Sequence, residues 1–478
     1  MAGASALLTQ PRTVLRECAD GSLLLRSMQR QESCPATVIH SLRLWALKQP
    51  YQPLVAERDA HGEWCTSSYG TVTYLADAIG EALLGMGLGP TRPLLILSGN
   101  TVNHLLMTLG AMTAGIPVAP VSVPSSLRGR DHARLRAIAA LVEPGAVYAE
   151  DAGGYAAALG ALDGIPVIIG CGRRAGAARL RSLLATRPGG GIREAFASLS
   201  PDSLAKILFE SGPDGGQKGV LITHRMLTAN QQMMRQAWEF LREERPLVVD
   251  GLPWSDGFCG NHNVNMVLTN GGTLHIDDGQ ATRDEFGRTI ANLSDVRPTI
   301  YFNVPGAYAR LVPALEADAA FAGRFFSRLQ LAFNAAGTLP DGLRARFREV
   351  AVRTTGRAVP VVGSWGTTET GSAVTTGNFD HTDYRCIGAP LPGAEVKLVP
   401  AEHAYEIRVK GAMVTPGYFK RPDLTAAAFD DGGYFCSGAA ASLADLRDPD
   451  AGLLLHGRIT RAGDLRFSIL RQLAFAFS

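Results

Sequence analysis

KILFESGPDGGQKGVLITHRML, residues 206–227, is the stretch whose reading decides the fold. Lys206–Phe209 reads as a strand that runs into a loop carrying Gly212, Gly215 and Gly216. Val220, Leu221 and Ile222 read as a second strand that leads into a helix. A glycine-rich turn exposes backbone N–H groups, and a lysine beside it adds a compact positive charge, so the segment has the parts of an anion cradle. It is not a Walker loop, because Gln217 precedes Lys218 and Gly219 follows it. A solvated loop lysine is the plainer reading of Lys218, and both stay open at this point.

Upstream, short apolar runs alternate with helical stretches. Leu94–Leu97 and Val118–Val121 read as strands, Asn103–Ala114 and 131–143 as helices, and Ala146–Tyr148 as a further strand. That rhythm predicts a parallel sheet covered by helices. A second α/β run is expected over 196–385, with strands at Lys206–Phe209, Val248–Leu252 and Thr299–Phe302 and helices near 225–242 and 341–355. From 386 the texture changes to short strands punctuated by Gly and Pro. The intervals 1–195, 196–385 and 386–456 are therefore read as two α/β subdomains and a small β-rich unit, with 457–478 as a tail.

At 478 residues the chain exceeds what one ordinary core supports. Apolar residues make up 46% and charged residues 19%, the profile of a globular chain. With 46 basic against 44 acidic side chains, neither nucleic acid nor an anionic membrane is expected as a partner. Seven scattered cysteines without a CxxC pair fit neither a disulfide framework nor a zinc site. They suggest buried, inert thiols in a reducing cytoplasm. The first residues lack the basic start and apolar stretch of a signal peptide. Gly170, Gly172 and Ala175 trace the outline of a dinucleotide fingerprint, but in a chain with 53 glycines an ordinary turn is the favoured reading.

Further motifs follow the loop in order: GLPWSDGFCGNHNVN (251–265), FNVP (302–305), NAAGTL (334–339), SWGTTETG (364–371), VTPGYFKRPDLTAAAFDDGGYF (414–435) and HGR (456–458). Together with the loop they resemble the signature series of the adenylate-forming (ANL) superfamily. Feruloyl-CoA synthase is the branch they resemble most, from DGSLLLRS, LLILSGN, GIPVAPVS, NGGTLHIDDG and YFNVP. The resemblance implies the fold of that superfamily's large N-terminal domain, α/β with helices on both sheet faces plus a β-rich unit. It implies a phosphate loop at Ser211, Gly212, Gly215 and Lys218. It implies nucleotide or ligand contacts at Asn334, Ala335, Ala336, Gly337, Trp365, Gly366, Thr367, Thr368 and Arg458, a magnesium ligand at Glu369, and an acyl pocket at Trp254, Phe258 and Asn261.

Several positions depart from that series. Where the family offers hydroxyls in the phosphate loop, this chain has Glu210, Pro213 and Asp214. Two like charges about 4 Å apart at an effective dielectric of about 20 repel by roughly 4 kcal/mol, so carboxylates there oppose a triphosphate. The ribose-binding Asp of the family is Ala439, with Asp445 the nearest substitute, and the family's pocket His is Asp256. The family's lysine-bearing C-terminal domain has no counterpart expected after Arg458.

Asp256, Glu210 and Asp214 are the candidate acid–base residues, since carboxylates in an apolar cleft gain raised pKa values. His224 and His262 read as hydrogen-bonded structural histidines, with His262 kept as a further catalytic candidate. The expected function is an enzyme acting on an aromatic (cinnamic or benzoic type) acid or acyl derivative without ATP and with no cofactor. An acyl carrier or partner enzyme is a conceivable second partner. The alternatives are a Mg-ATP-dependent ligase activating an aromatic acid or nitrite for attack by an amine, and a non-catalytic binding protein.

Overall fold

The computed structural model describes residues 7–127, 132–212, 216–280, 282, 285–379, 383, 385–401 and 404–459. Asp214 and Gly215 of the phosphate loop, with Pro213, lie outside the described residues, as does the apolar tail 465–478.

Three sheets organise the chain. The first has seven strands in the order Gln217–Thr223, Leu204–Ser211, Val118–Val121, Leu94–Leu97, Ala146–Asp151, Val167–Cys171 and Ala178–Arg179. Its strands are parallel except for the hairpin 204–223 at one edge. Both faces are covered, so Leu94–Leu97 is apolar throughout and every one of its side chains is inaccessible to solvent. The second sheet runs Val361–Val362, Leu331–Asn334, Ile300–Asn303, Leu247–Asp250, Thr273–Ile276, Pro53–Arg58 and Trp64–Ser68. The third has nine strands and is antiparallel in its pairings. It joins Thr13–Glu17 and Leu23–Ser27 to strands between Ser364 and Arg458.

Sheet membership cuts across the intervals read from sequence. Strands 53–68 pair with the 247–362 sheet, the hairpin 204–223 completes the sheet of 94–179, and strands 13–27 join the β-rich sheet. These are pairings between residues far apart in sequence, which local pattern does not encode.

Helix His224–Ala237 is buried along nearly its whole length despite carrying Asn230, Gln231, Gln232 and Gln236. Thr223 caps it by accepting from the Met226 N–H at 3.3 Å. Its amides are spent on loop carbonyls: Asn230 donates to Ala373, Gln231 to Asn261 and His262, and Gln236 to Arg30. A polar helix in a core is stable when its amides find such partners, and these bonds fix the loops that build the site.

The Gly170–Ala175 motif is an ordinary turn. Gly172 sits at φ +78° and the chain continues into the edge strand Ala178–Arg179, so no helix N-terminus opens there. The thiols differ from the sequence expectation: all seven cysteines are free, Cys259 is buried, but Cys65 and Cys171 are exposed. Among the described residues no helix is long and apolar enough to cross a membrane.

Candidate active site

The hairpin places Glu210 directly across from Lys218 in its register. Cross-strand neighbours of opposite charge attract, and the two side chains form an ion pair at 3.2 Å. On its other side the Lys218 ammonium meets Glu369 Oε1 at 2.7 Å, and it lies 3.4 Å from the Tyr418 hydroxyl. The Tyr418 O–H donates to the same Glu369 oxygen at 2.9 Å. Segment 415–419 is held against the hairpin by Thr415 Oγ1 donating to the Leu221 carbonyl and by the Phe419 N–H donating to Gly219. That docking brings Tyr418 to Lys218.

Burial works against the charge on Lys218, yet the Glu369 and Glu210 carboxylates outweigh it and raise the ammonium above the ordinary lysine value. Burial also works against ionised Glu369, but Lys218 and the Tyr418 hydroxyl hold that carboxyl below its ordinary value. The cluster is thus a lysine between two carboxylates, with a net charge of −1. Glu210 is therefore corrected from a free acid–base group to an ion-pair partner. Glu369, the candidate magnesium ligand, has one oxygen occupied twice over. Among the described residues no group of three His, Cys, Asp or Glu side chains could hold a metal. A Mg-triphosphate would have to displace Lys218 from between two carboxylates, so the residues present fit that group poorly.

The turn that carries Glu369 packs on the 251–265 segment. Ser372 Oγ donates to the Gly257 carbonyl at 2.6 Å, and a Cβ at Gly257 would lie 3.2 Å from Thr368 Oγ1. Thr367 N–H donates to Thr370 Oγ1 at 2.8 Å, closing that turn, and Trp365 lies at its base, 9% exposed. Gly366 passes against the Ser372 backbone with no room for a side chain. This packing sets Gly257, the chain neighbour of Asp256, against Thr368. Asp256 Oδ1 accepts the Phe258 N–H at 2.8 Å. Desolvation raises its carboxyl above the usual value, opposed by the Phe258 and Cys259 N–H groups. Its side chain is exposed, so water screens that shift. The described hydrogen bonds and ion pairs join Glu210 to Lys218, not to Asp256.

Phe258, two residues after Asp256, belongs to an aromatic cluster, the aromatic wall of the 251–265 segment. Phe258 stacks on His262 at 4.8 Å and on Phe333 at 5.1 Å between centroids, with Trp238 and Phe302 packed against them. His262 is inaccessible to solvent, its Nδ1 lies 3.0 Å from Asn263 Oδ1, and burial pushes its pKa down to about 4. It is a neutral member of the wall rather than a general base, which corrects its candidacy. Trp254, 4% exposed, meets His104 edge to face at 5.4 Å. Asn261 is 1% exposed and neither atom of its amide has a partner.

Asn334 Nδ2 donates to the Gly337 carbonyl at 2.6 Å, and Ala335 N–H to Asn303. Ala336 stands in the left-handed region at φ +50°, which shapes this turn at the end of strand 331–334. Ser211 is exposed at the mouth of the hairpin, which Gly212 N–H closes onto Gly216 at 2.7 Å. Arg458 is exposed and stands opposite Ala439 in the β-sheet register. Asp445 is exposed and accepts the Arg447 N–H, so it caps its own turn.

Two buried polar groups escape the sequence reading, and a third departs from it. Lys206, 6% exposed, donates to the Gly260 carbonyl at 2.7 Å, and burial lowers its pKa to about 7. Asp250, 1% exposed, accepts from Leu252 N–H and Asn263 Nδ2, and burial raises it to about 7. His224 was expected to be hydrogen-bonded, yet it is inaccessible to solvent and neither ring nitrogen has a partner. A lone lysine inside the apolar run LAKILF was the available signal for the first of these.

A family model described as AMP-binding enzyme matches residues 42–419, and the chain belongs to that family. It is an enzyme-family fold of the acyl-CoA synthetase and ligase type. A CoA ligase of Gibberella moniliformis is 26% identical over 295 residues, 52% of this chain and 48% of that protein. Novobiocin biosynthesis protein H of Streptomyces niveus is 26% identical over 431 residues, 84% of this chain and 63% of that protein. Among solved structures, a malonyl-CoA ligase with methylmalonyl-CoA and AMP bound superposes with TM-score 0.65 at 23% identity, covering 85% of this chain and 78% of that one. A luciferase-like enzyme from the mealworm Zophobas morio gives TM-score 0.72 at 16% identity, covering 91% and 99%. The chain spans about half the length, or less, of the first curated relatives it matches.

Proposed function

We propose that this member of the AMP-binding family binds an aromatic carboxylic acid or acyl derivative, of cinnamic or benzoic type, and acts on it without ATP-dependent adenylation. The observation that carries the reading is Lys218 held between Glu369 at 2.7 Å and Glu210 at 3.2 Å. A lysine serving a triphosphate must offer its charge to the phosphates, and here two carboxylates neutralise it beforehand. Ala439 in place of the family's ribose-binding Asp supports the same reading. Phe258, the half-buried member of the aromatic cluster with His262, Phe302 and Phe333, offers the ring that a flat aromatic ligand would meet. Asp256, two residues before Phe258 and next to the Gly257 that meets Thr368, is the candidate to exchange a proton with a bound acyl compound.

The test is a calorimetric titration of the protein with cinnamate and benzoate in buffer free of nucleotide. Micromolar binding of either acid is the expected result. Binding that emerges only after Mg-ATP is added sinks the reading in favour of the second one, an ATP-dependent carboxylate ligase. Lys218, Thr368 and Glu369 standing in the family's positions favour that alternative, as do relatives named CoA ligase and malonate–CoA ligase. Its signature is pyrophosphate release.

A further inference from the structure

Lys206 lies on strand Leu204–Ser211, two residues along the same face from Leu208 and four from Glu210. Its ammonium makes one hydrogen bond, to the Gly260 carbonyl. Among the described residues it forms no ion pair, and burial is what lowers its pKa. His104 and His224 both feel its charge, and burial drives them to pKa values of about 4 and about 3. His104 spends Nδ1 on the Gly99 carbonyl at 2.9 Å. A buried cation without a counter-ion is costly, because the protein interior replaces little of its hydration.

Next to Gly260 stands Asn261, with both amide atoms buried and unpartnered. Gln231, which donates to the Asn261 and His262 carbonyls, leaves its own Oε1 without a partner. His224 sits two turns before Gln231 on the same helix, so the two share a face, and both its nitrogens are free. Three buried side chains with unused hydrogen-bonding capacity, Asn261, Gln231 and His224, therefore neighbour a buried lysine that has no counter-ion among the described residues. Native interiors seldom leave such groups idle. The cluster lies one turn beyond Gly257, the residue that touches Thr368, and borders the aromatic wall through His262.

We propose that Lys206, Asn261 and His224 form an oxyanion-binding end of the acyl pocket, which takes a carboxylate or phenolate oxygen carried by the substrate remote from its reacting carboxyl group. This rests on the aromatic-acid reading above and deepens it, since it names the substituent. The Lys206 ammonium supplies the charge, the Asn261 amide and a His224 N–H supply donors, and the ligand oxygen supplies the missing counter-ion. The surrounding dry interior strengthens each of these contacts relative to water.

The experiment is equilibrium titration, without nucleotide, of the wild-type chain and of Lys206→Met with cinnamate, 4-hydroxycinnamate and 4-carboxycinnamate. The wild type is expected to bind one of the substituted acids about tenfold or more tighter than cinnamate. The hydroxy and carboxy arms tell phenolate from carboxylate. A bound phenolate also shifts the absorption of 4-hydroxycinnamate to longer wavelength, a readout that needs no variant. Lys206→Met is expected to lose the preference, binding the substituted acids no tighter than cinnamate. Equal binding of all three acids by the wild type overturns the proposal and leaves the aromatic-acid reading intact, as does a preference that survives in Lys206→Met. Failure of the wild type to bind any of the three overturns both.

Discussion

Lys218 and Glu369 are 151 residues apart in sequence, yet their charged groups meet at 2.7 Å, with the Glu369 side chain 4% exposed. The contact ties the hairpin 204–223 to the turn of SWGTTETG, and Tyr418 ties a third segment to both. The ion pair is thus the junction of three motifs, and it leaves Lys218 paired with carboxylates on two sides.

Removing the lysine leaves two carboxylates facing each other with no cation. Breaking a buried pair from one side costs about 3–5 kcal/mol, with the lower end expected because Glu210 is 33% exposed and keeps some hydration. Lys218→Met should lower the urea midpoint accordingly, and adding Glu369→Gln should recover part of the loss. A midpoint unchanged by the single substitution contradicts the geometry.

Gly260 has no room for a side chain, since a Cβ there would collide with the Trp254 carbonyl oxygen. Its carbonyl also receives Lys206 and its N–H donates to the Asp256 carbonyl. Gly260→Ala is expected to cost about 2–4 kcal/mol and to weaken aromatic-acid binding. Gly287→Ala, in helix Phe286–Val296 with nothing near its Cβ, is the control and should be neutral or mildly stabilising.

Lys206 gives stability a definite pH dependence. Its folded pKa of about 7 lies below the ordinary lysine value of 10.5, so between those values the unfolded chain binds a proton that the folded chain lacks. Stability from this group therefore rises with pH from about 7 upward, at up to about 1.4 kcal/mol per pH unit. Lys206→Met removes that slope. Thermal melts should show the variant gaining most over the wild type near pH 7 and the difference shrinking toward pH 9. A difference constant with pH means that Lys206 titrates normally in the fold.

Much of the fold was legible because its signals are local. The glycine loop between two strands, the βαβ rhythm around Leu94–Leu97 and the helix at 341–355 each depend on neighbours in sequence, and helix Asp341–Thr355 falls where that pattern puts it. Sheet membership was not legible, since Leu23–Leu25 finds Val396–Leu398 only in the folded chain. Within the site, Glu210 could be read as a carboxylate near phosphates but not as the partner of Lys218, because that depends on the hairpin register. His262 in Gly-Asn-His-Asn read as a structural histidine and was kept as a further catalytic candidate. What makes it a neutral wall is Phe333 and Trp238, brought in from two distant elements. Lys206 passed unnoticed because a strand residue's burial is decided by what packs over its face, here helix His224–Ala237 and the 259–263 turn.

The central claim is that Glu210 and Glu369 together neutralise the lysine a triphosphate needs. Calorimetric titration with Mg-ATP of the wild type and of Glu210→Thr tests it most directly. The account predicts no detectable binding by the wild type at millimolar nucleotide and a gain of about tenfold or more in affinity on removing the Glu210 charge. Micromolar binding of Mg-ATP by the wild type, unchanged in Glu210→Thr, would contradict it.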